Sequence, residues 1–345
     1  GIPVYCTPDL YEGSPASLFR NAGDGTFEDV SLASGIGSVR GKGLAACIVD
    51  LDEDAWPDIY CANDLQWNFL FRNLGAWRFE EIGFLSGAGL SEDGREEAGM
   101  GVDAADVDGD GTLDLIVSNF QTETNALYRN EGGMTFTEVS RLSGMAETDL
   151  RRLAFGIRFF DFDSDGIQDV VVANGHIYDN AAEVDPTATY AQPPSLFRGR
   201  GGGRFLDVTD SAGKDFAAPR VGRGLALGDL DADGDLDLVL AINNGPPSLL
   251  ENRAGGGNAW LALRLIGVRC DRSALGARVT LECGGTRQEQ VVRCGGSYLS
   301  QSDPRVFFGL ARAERVDQIS VRWPDGKEEA IRNVPARRLL TLVEG

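Results

Sequence analysis

The chain is predicted to be all-β, a β-propeller followed by a small β-sandwich-like unit, and three observations predict it. An acid-rich spacing nine residues long occurs four times. Short apolar, strand-like runs flank every copy. The copies begin at Asp50, Asp106, Asp161 and Asp229, in steps of 56, 55 and 68 residues that each hold about four short strands.

The motif reads D-x-D-x-D-G-x-x-D. Its acids are Asp50, Asp52, Asp54 and Asp58; Asp106, Asp108, Asp110 and Asp114; Asp161, Asp163, Asp165 and Asp169; and Asp229, Asp231, Asp233 and Asp237. Four carboxylates so close repel one another unless a hard cation lies between them. Alternating acids around a tight glycine turn wrap oxygen ligands around calcium. A helical EF-hand loop needs an acid at its twelfth position. Here that place holds Cys61, Val117, Val172 or Leu240, which excludes it.

The loop closes instead at its ninth residue and joins two antiparallel strands as a hairpin. About four Ca2+ sites are therefore expected. The first, third, fifth and ninth residues would give carboxylates, and the seventh (Trp56, Thr112, Ile167, Asp235) its backbone carbonyl. Gly111, Gly166 and Gly234 suit a sixth position with positive φ. Ala55 stands there in the first loop, so that site is expected to be the weakest.

The strands come next. Ile59–Cys61, Leu115–Val117, Val170–Val172 and Leu238–Leu240 follow the loops, and Leu44–Val49 and Leu225–Leu227 precede two of them. A Leu-aromatic-Arg-Asn segment recurs in the same phase at Leu18–Asn21, Leu70–Asn73 and Leu127–Asn130, and is degraded at Leu196–Gly199 and Leu249–Asn252. A turn and a short strand follow each, as in Gly25–Val30. The recurrent Leu and aromatic residues are expected to pack between blades.

Composition bounds the function. The net charge of −21 comes mostly from the loops, and four divalent cations would reduce it to −13. Such acidity argues against nucleic acid and anionic membrane surfaces as partners. No apolar run approaches the roughly 18 residues of a membrane span. Loops of this kind fill where calcium is abundant, at roughly 0.1–1 mM, so the chain is expected to be secreted or extracellular, or at a bacterial cell surface or periplasm. Six cysteines form no C-x-x-C pair, and with one histidine a structural zinc site is not expected. Cys47 with Cys61, or Cys283 with Cys294, are candidate disulfides, with buried free thiols an equal alternative.

The repeats resemble the FG-GAP/VCBS type, also seen in integrin α-subunit propellers. The four Asp loops and the R-N-x-G-x-G-x-F-x-D-V stretch from Arg20 to Val30 carry that resemblance. The tail from about Asn258 resembles the ASPIC/UnbV domain of cartilage acidic protein-like chains. It does so through Leu275–Arg278, Gly296–Ser302, Phe308–Leu310 and Trp323–Gly326. The resemblance implies a secreted calcium-binding or adhesion-like module.

Charge marks a boundary independently. From Asn258 onward there are 14 basic and 10 acidic residues, against 18 and 43 before it. Residues 1–254 are thus expected to form the blades and 258–345 a β domain. The tail strands are expected at Trp260–Ile266, Arg278–Glu282, Glu289–Arg293, Val316–Trp323 and Leu339–Val343. Residues 1–31 read as the second half of a blade, and the last blade looks short of its fourth strand. Either an N-terminal strand closes a ring of about five blades, or the chain is a fragment of a longer ring. The fragment is preferred, because the resemblance implies seven blades.

Beyond the loops the signals are thin. An insertion at about His176–Pro194 holds the only histidine, which reads as structural without a partnered nucleophile. Trp56, Trp67 and Trp77 lie in one blade and could form a sugar-stacking patch, with plain packing the weightier reading. No catalytic constellation occurs, neither G-x-S-x-G nor H-E-x-x-H. The expected function is non-enzymatic recognition or adhesion of an unknown protein or glycan ligand, with calcium clamping the blades. A catalytic or accessory role in a biosynthetic pathway and a lectin-like propeller are the alternatives.

Overall fold

In the computed structural model, which describes residue 2 and residues 4–345, each Asp loop joins the first two strands of an antiparallel meander. Blade I comprises Gly43–Val49, Asp58–Asn63, Phe69–Asn73 and Phe79–Glu81. Blade II comprises Val102–Ala105, Asp114–Val117, Ala126–Asn130 and Phe136–Glu138. Blade III comprises Ala154–Phe160, Asp169–Asn174, Ser195–Gly199 and Phe205–Asp207. Blade IV has three strands, Gly222–Gly228, Asp237–Ile242 and Ser248–Leu250. The chain is nearly all β, with helices of four residues at most among the described residues.

Alternation explains why the second strands read as unbroken apolar runs. Leu115 and Val117 pack toward blade I with Val49, Tyr60 and Leu70, whereas Ile116 packs toward blade III with Ile157, Val170 and Phe197. Val171 and Leu196 in turn meet Leu225, Leu238 and Leu240 of blade IV. The first two strands of blades II and III are buried on both faces, so neither face selects polar residues there. The recurrent Leu and aromatic residues do pack between blades in blades I to III, whereas Phe19 and Leu249 of the outer copies are exposed. Leu70, Leu127 and Phe197 are fully buried there, with Tyr128 nearly so.

The sheets do not close into a ring. Phe19–Asn21 pairs only with Phe27–Asp29, and Ser14–Pro15 with Arg40–Gly41. Neither reaches the free edge of blade IV at Ser248–Leu250, which corrects the five-blade closure. The half-blade expected over residues 1–31 is seen from residue 4 onward, Gly1 and Pro3 lying outside the described residues.

The C-terminal strands form two facing sheets. Trp260–Ile266 lies between antiparallel Val306–Gly309 and parallel Arg338–Val343. The second sheet runs Thr286–Val291, Arg278–Cys283, Arg315–Arg322, Glu328–Pro335. Leu261, Leu263, Val279, Leu281, Phe308, Ile319 and Trp323 fill the space between them. Val306–Gly309 and Glu328–Pro335 were not expected from the sequence.

Neither candidate disulfide is present, and all six cysteines are free. Cys47 stands opposite Tyr60, so Cys61, opposite Ala46, points to the other face of blade I. Cys283 lies at the turn end of its hairpin, opposite Thr286, while Cys294 follows the far end of the partner strand at Val291.

Candidate metal centres

All four loops bring three carboxylates together, with one oxygen of each within 4.8 Å of the others. In the first three loops these are the first, third and ninth residues: Asp50, Asp52 and Asp58; Asp106, Asp108 and Asp114; Asp161, Asp163 and Asp169. In the fourth they are Asp229, Asp231 and Asp233. The expected ligands Asp54, Asp110, Asp165 and Asp237 stand outside these clusters.

Local hydrogen bonds build each loop in the same way. Each fifth-position carboxylate accepts the N–H of the seventh residue, from Trp56 to Asp54, Thr112 to Asp110, Ile167 to Asp165 and Asp235 to Asp233. This two-residue link is an Asx turn, and it tightens the loop. Each first-position carboxylate accepts the N–H of the sixth residue, as from Gly111 to Asp106 at 3.0 Å. The sixth residue has positive φ in every loop: 74° at Ala55, 96° at Gly111, 91° at Gly166 and 98° at Gly234. An alanine there costs roughly 1 kcal/mol.

The ninth acid is buried and does two jobs. Asp58, Asp114, Asp169 and Asp237 each accept the N–H of the loop's second residue on Oδ2. Their Oδ1 atoms accept the N–H of Asn73, Asn130, Gly199 and Asn252 on the third strand. The last residue of the Leu-aromatic-Arg-Asn segment is therefore tied to the loop. Asn130 Nδ2 also donates to Leu51 O of the preceding loop, and Asn252 Nδ2 to Phe162 O. Gly199 has no side-chain amide, and there Gly203 N–H donates to the matching carbonyl of Val107. The motif's arginines act too: Arg72 pairs with Asp52 at 2.8 Å and Arg198 with Asp163 at 2.6 Å. Their signal in the sequence is the fixed phase of Arg and Asn after the first two loops, which marks the repeat without revealing these bonds.

Charge is left uncompensated. Three carboxylates at 4.8 Å repel by about 3–4 kcal/mol per ionised pair at an effective dielectric near 20. Buried oxygens without a hydrogen-bond partner remain on Asp50 and Asp52, on Asp163, and on Asp229 and Asp235. Burial pushes the carboxyls of Asp58 and Asp114 up to about 7, of Asp161 and Asp235 to about 7, and of Asp169 to about 8. An all-oxygen, acid-rich, partly unsatisfied cradle fits a hard divalent cation.

The remaining candidates resolve differently. The tryptophans form no single patch. Trp56 and Trp77 lie at the loop end of blade I, and Trp67 lies on the turn at its opposite end, half-buried against Phe69. His176 is buried between Phe120 and Tyr178, and its Nδ1 accepts the Tyr178 N–H at 3.0 Å. The insertion around it is held by Gln121 to Asp185 and by Arg220 pairing with Gln192. Among the described residues no helix is long and apolar enough to cross a membrane.

Comparison with known proteins agrees with the loops and the tail. The FG-GAP-like repeat family matches residues 50–117 and 106–172, and the ASPIC and UnbV family matches residues 267–345. Cartilage acidic protein 1 of Homo sapiens is 27% identical over 347 residues, covering 98% of this chain and 49% of the relative. That of Xenopus tropicalis is 28% identical over 295 residues, covering 83% and 42%. The chain thus spans about half the length of the curated relatives it matches. Two solved structures share a TM-score of 0.38, too low to bear on function. One concerns recognition of non-reducing terminal N-acetylglucosamine by an Agrocybe aegerita lectin (20% identity, 70% of this chain and 61% of that one). The other is the V. cholerae biofilm matrix protein Bap1 (11% identity, 93% and 59%). With three of its acid loops inside the matched repeats and its last strands inside the matched tail, this chain carries FG-GAP-like repeats and an ASPIC/UnbV domain, and is similar along its length to cartilage acidic protein 1.

Proposed function

We propose that this chain is a non-enzymatic, extracellular recognition module whose blades are clamped by calcium. Residues 1–254 form the blades and residues 258–345 the C-terminal domain. The observation that carries the reading is the convergence of three carboxylates in every loop, with buried oxygens left unpaired in the first, third and fourth. Asp50, Asp52 and Asp58 would hold the ion in blade I, the matching acids in blades II and III, and Asp229, Asp231 and Asp233 in blade IV. In blades I to III the fifth and seventh residues would shape the loop around it. A bound calcium ion supplies positive charge and coordination, with no bond made or broken. Extracellular placement rests on the calcium level such loops need and on the likeness to a protein named for cartilage.

Asp108→Ala tests this. Asp108 lies in the cluster and accepts only a long 3.2 Å bond from Asp110 N–H, so the metal-free fold hardly depends on it. The variant should melt several degrees below the parent in calcium but no lower than it in chelator, where the lost charge relieves repulsion. Equal loss in both buffers would contradict calcium clamping.

The raised carboxyls fix the sign of a pH effect. In the metal-free protein the folded state holds protons that the unfolded chain releases near pH 4. The stability this confers is complete below that point and is lost as pH rises through 7 to 8. Chelated protein should therefore melt lower at pH 8.5 than at pH 6, and the gain on adding calcium should widen over the same range. Calorimetric scans showing a constant gain would contradict the linkage.

A further inference from the structure

The C-terminal domain hydrogen-bonds the first, third and fourth acid loops, largely through their backbone, and its Arg287 lies near Gly111 of the second. Asn258 Nδ2 donates to Asp163 O at 2.7 Å, Ala311 N–H to Ser164 O at 2.9 Å, and Arg305 Nη2 to Asp229 O at 3.3 Å. Arg278 Nη2 lies 3.5 Å from Asp50 O, and its Nη1 pairs with Glu53 at 2.6 Å. The sixth-position glycines face the same surface. A methyl group on Gly234 would sit 1.7 Å from the Trp260 ring, one on Gly166 2.9 Å from Gln288 Nε2, and one on Gly111 3.5 Å from Arg287. In blade I, where Ala55 replaces glycine, the contact comes from the longer Arg278 side chain.

A strap from the same domain, residues 293–303, runs across the first strands that lead into the loops. Ser297 N–H donates to Val102 O at 2.6 Å, Gly296 N–H to Ala46 O at 3.3 Å and Asp303 N–H to Leu227 O at 2.9 Å. Arg293 reaches the buried Asp103 at 2.9 Å.

We propose that the cation gates this docking: the C-terminal domain reads the backbone shape that the occupied loops adopt, and loses its loop contacts when they empty. This rests on the calcium reading above. Carbonyls of the first, third and fourth loop residues are the acceptors, and their directions are set by how the loop folds around its acids. With the cluster empty, repulsion among the acids opens the loop and turns those carbonyls away. The tail's net positive charge does not substitute for them, since only Glu53 among the loop side chains meets a tail arginine in an ion pair.

Hydrogen exchange on the full chain, in saturating calcium and in excess chelator, tests the gate, with calorimetry reporting calcium binding alongside. Chelation should speed exchange at Ala311 by about tenfold or more. Amides inside the sandwich, such as Leu281 and Val321, should be unchanged. Calcium binding with unaltered protection at Ala311 would overturn the gate and leave the calcium reading standing. No calcium binding would overturn both. General loss of protection at Leu281 and Val321 as well would show unfolding in place of undocking, and would also overturn the gate.

Discussion

Asp114→Ala is expected to cost about 3–5 kcal/mol of unfolding free energy in chelator, and more in calcium, where it also removes a ligand. Asp114 is fully buried, and its two oxygens accept the N–H groups of Val107 and Asn130. Alanine would leave both donors buried without partners, at about 1–3 kcal/mol each. It would also cut the tie between the loop and the third strand, whose Asn130 amide holds the neighbouring blade at Leu51. Urea titration with an unchanged slope and a lowered midpoint would give the cost directly. A loss under about 1 kcal/mol would show that this acid serves the ion alone. The contrast with Asp108→Ala separates the two kinds of loop acid, one building the fold and the other needed only when the cation is present.

Asp103→Ala should be comparably severe, at about 3–5 kcal/mol. Asp103 is 0% exposed and lies between Arg158 of blade III, 7% exposed, and Arg293 of the strap. It also accepts the Phe159 N–H at 2.8 Å. Removing it leaves two buried guanidinium groups facing each other, and burial already disfavours the charge on Arg158. Because Arg293 belongs to the tail and Arg158 to the blades, the variant should lower the midpoints of both regions together. Two separate transitions, with the tail unaffected, would contradict a shared ion cluster.

Much of this architecture is legible in the residues themselves. The D-x-D-x-D-G-x-x-D spacing locates the hairpins, and the apolar runs after Asp58, Asp114, Asp169 and Asp237 locate the second strands. The positive φ of the sixth residue follows from glycine at three of four copies, and Ala55 adopts it against its preference. The division of labour among the acids is less legible. Asp110 and Asp114 look alike as letters, and only the fold shows one closing an Asx turn and the other pinning a strand.

Glu328–Pro335 is hidden for a different reason. It is an edge strand with one partner and mostly exposed side chains, so its pattern carries little apolar signal. The tail's seat on the loops leaves no trace in the sequence, because its acceptors are backbone carbonyls far away in the chain. The cysteines mislead through proximity alone. Cys47 and Cys61 flank one hairpin, but the period of two turns them to opposite faces.

Calcium stoichiometry, measured by isothermal titration on the full chain with melting followed in calcium and in chelator, tests the central claim most directly. The account predicts four ions per chain, one for each carboxylate cluster, and a melting temperature raised by many degrees when they bind. An absence of binding heat, with identical melting in both buffers, would reduce the four clusters to acidic turns and contradict it.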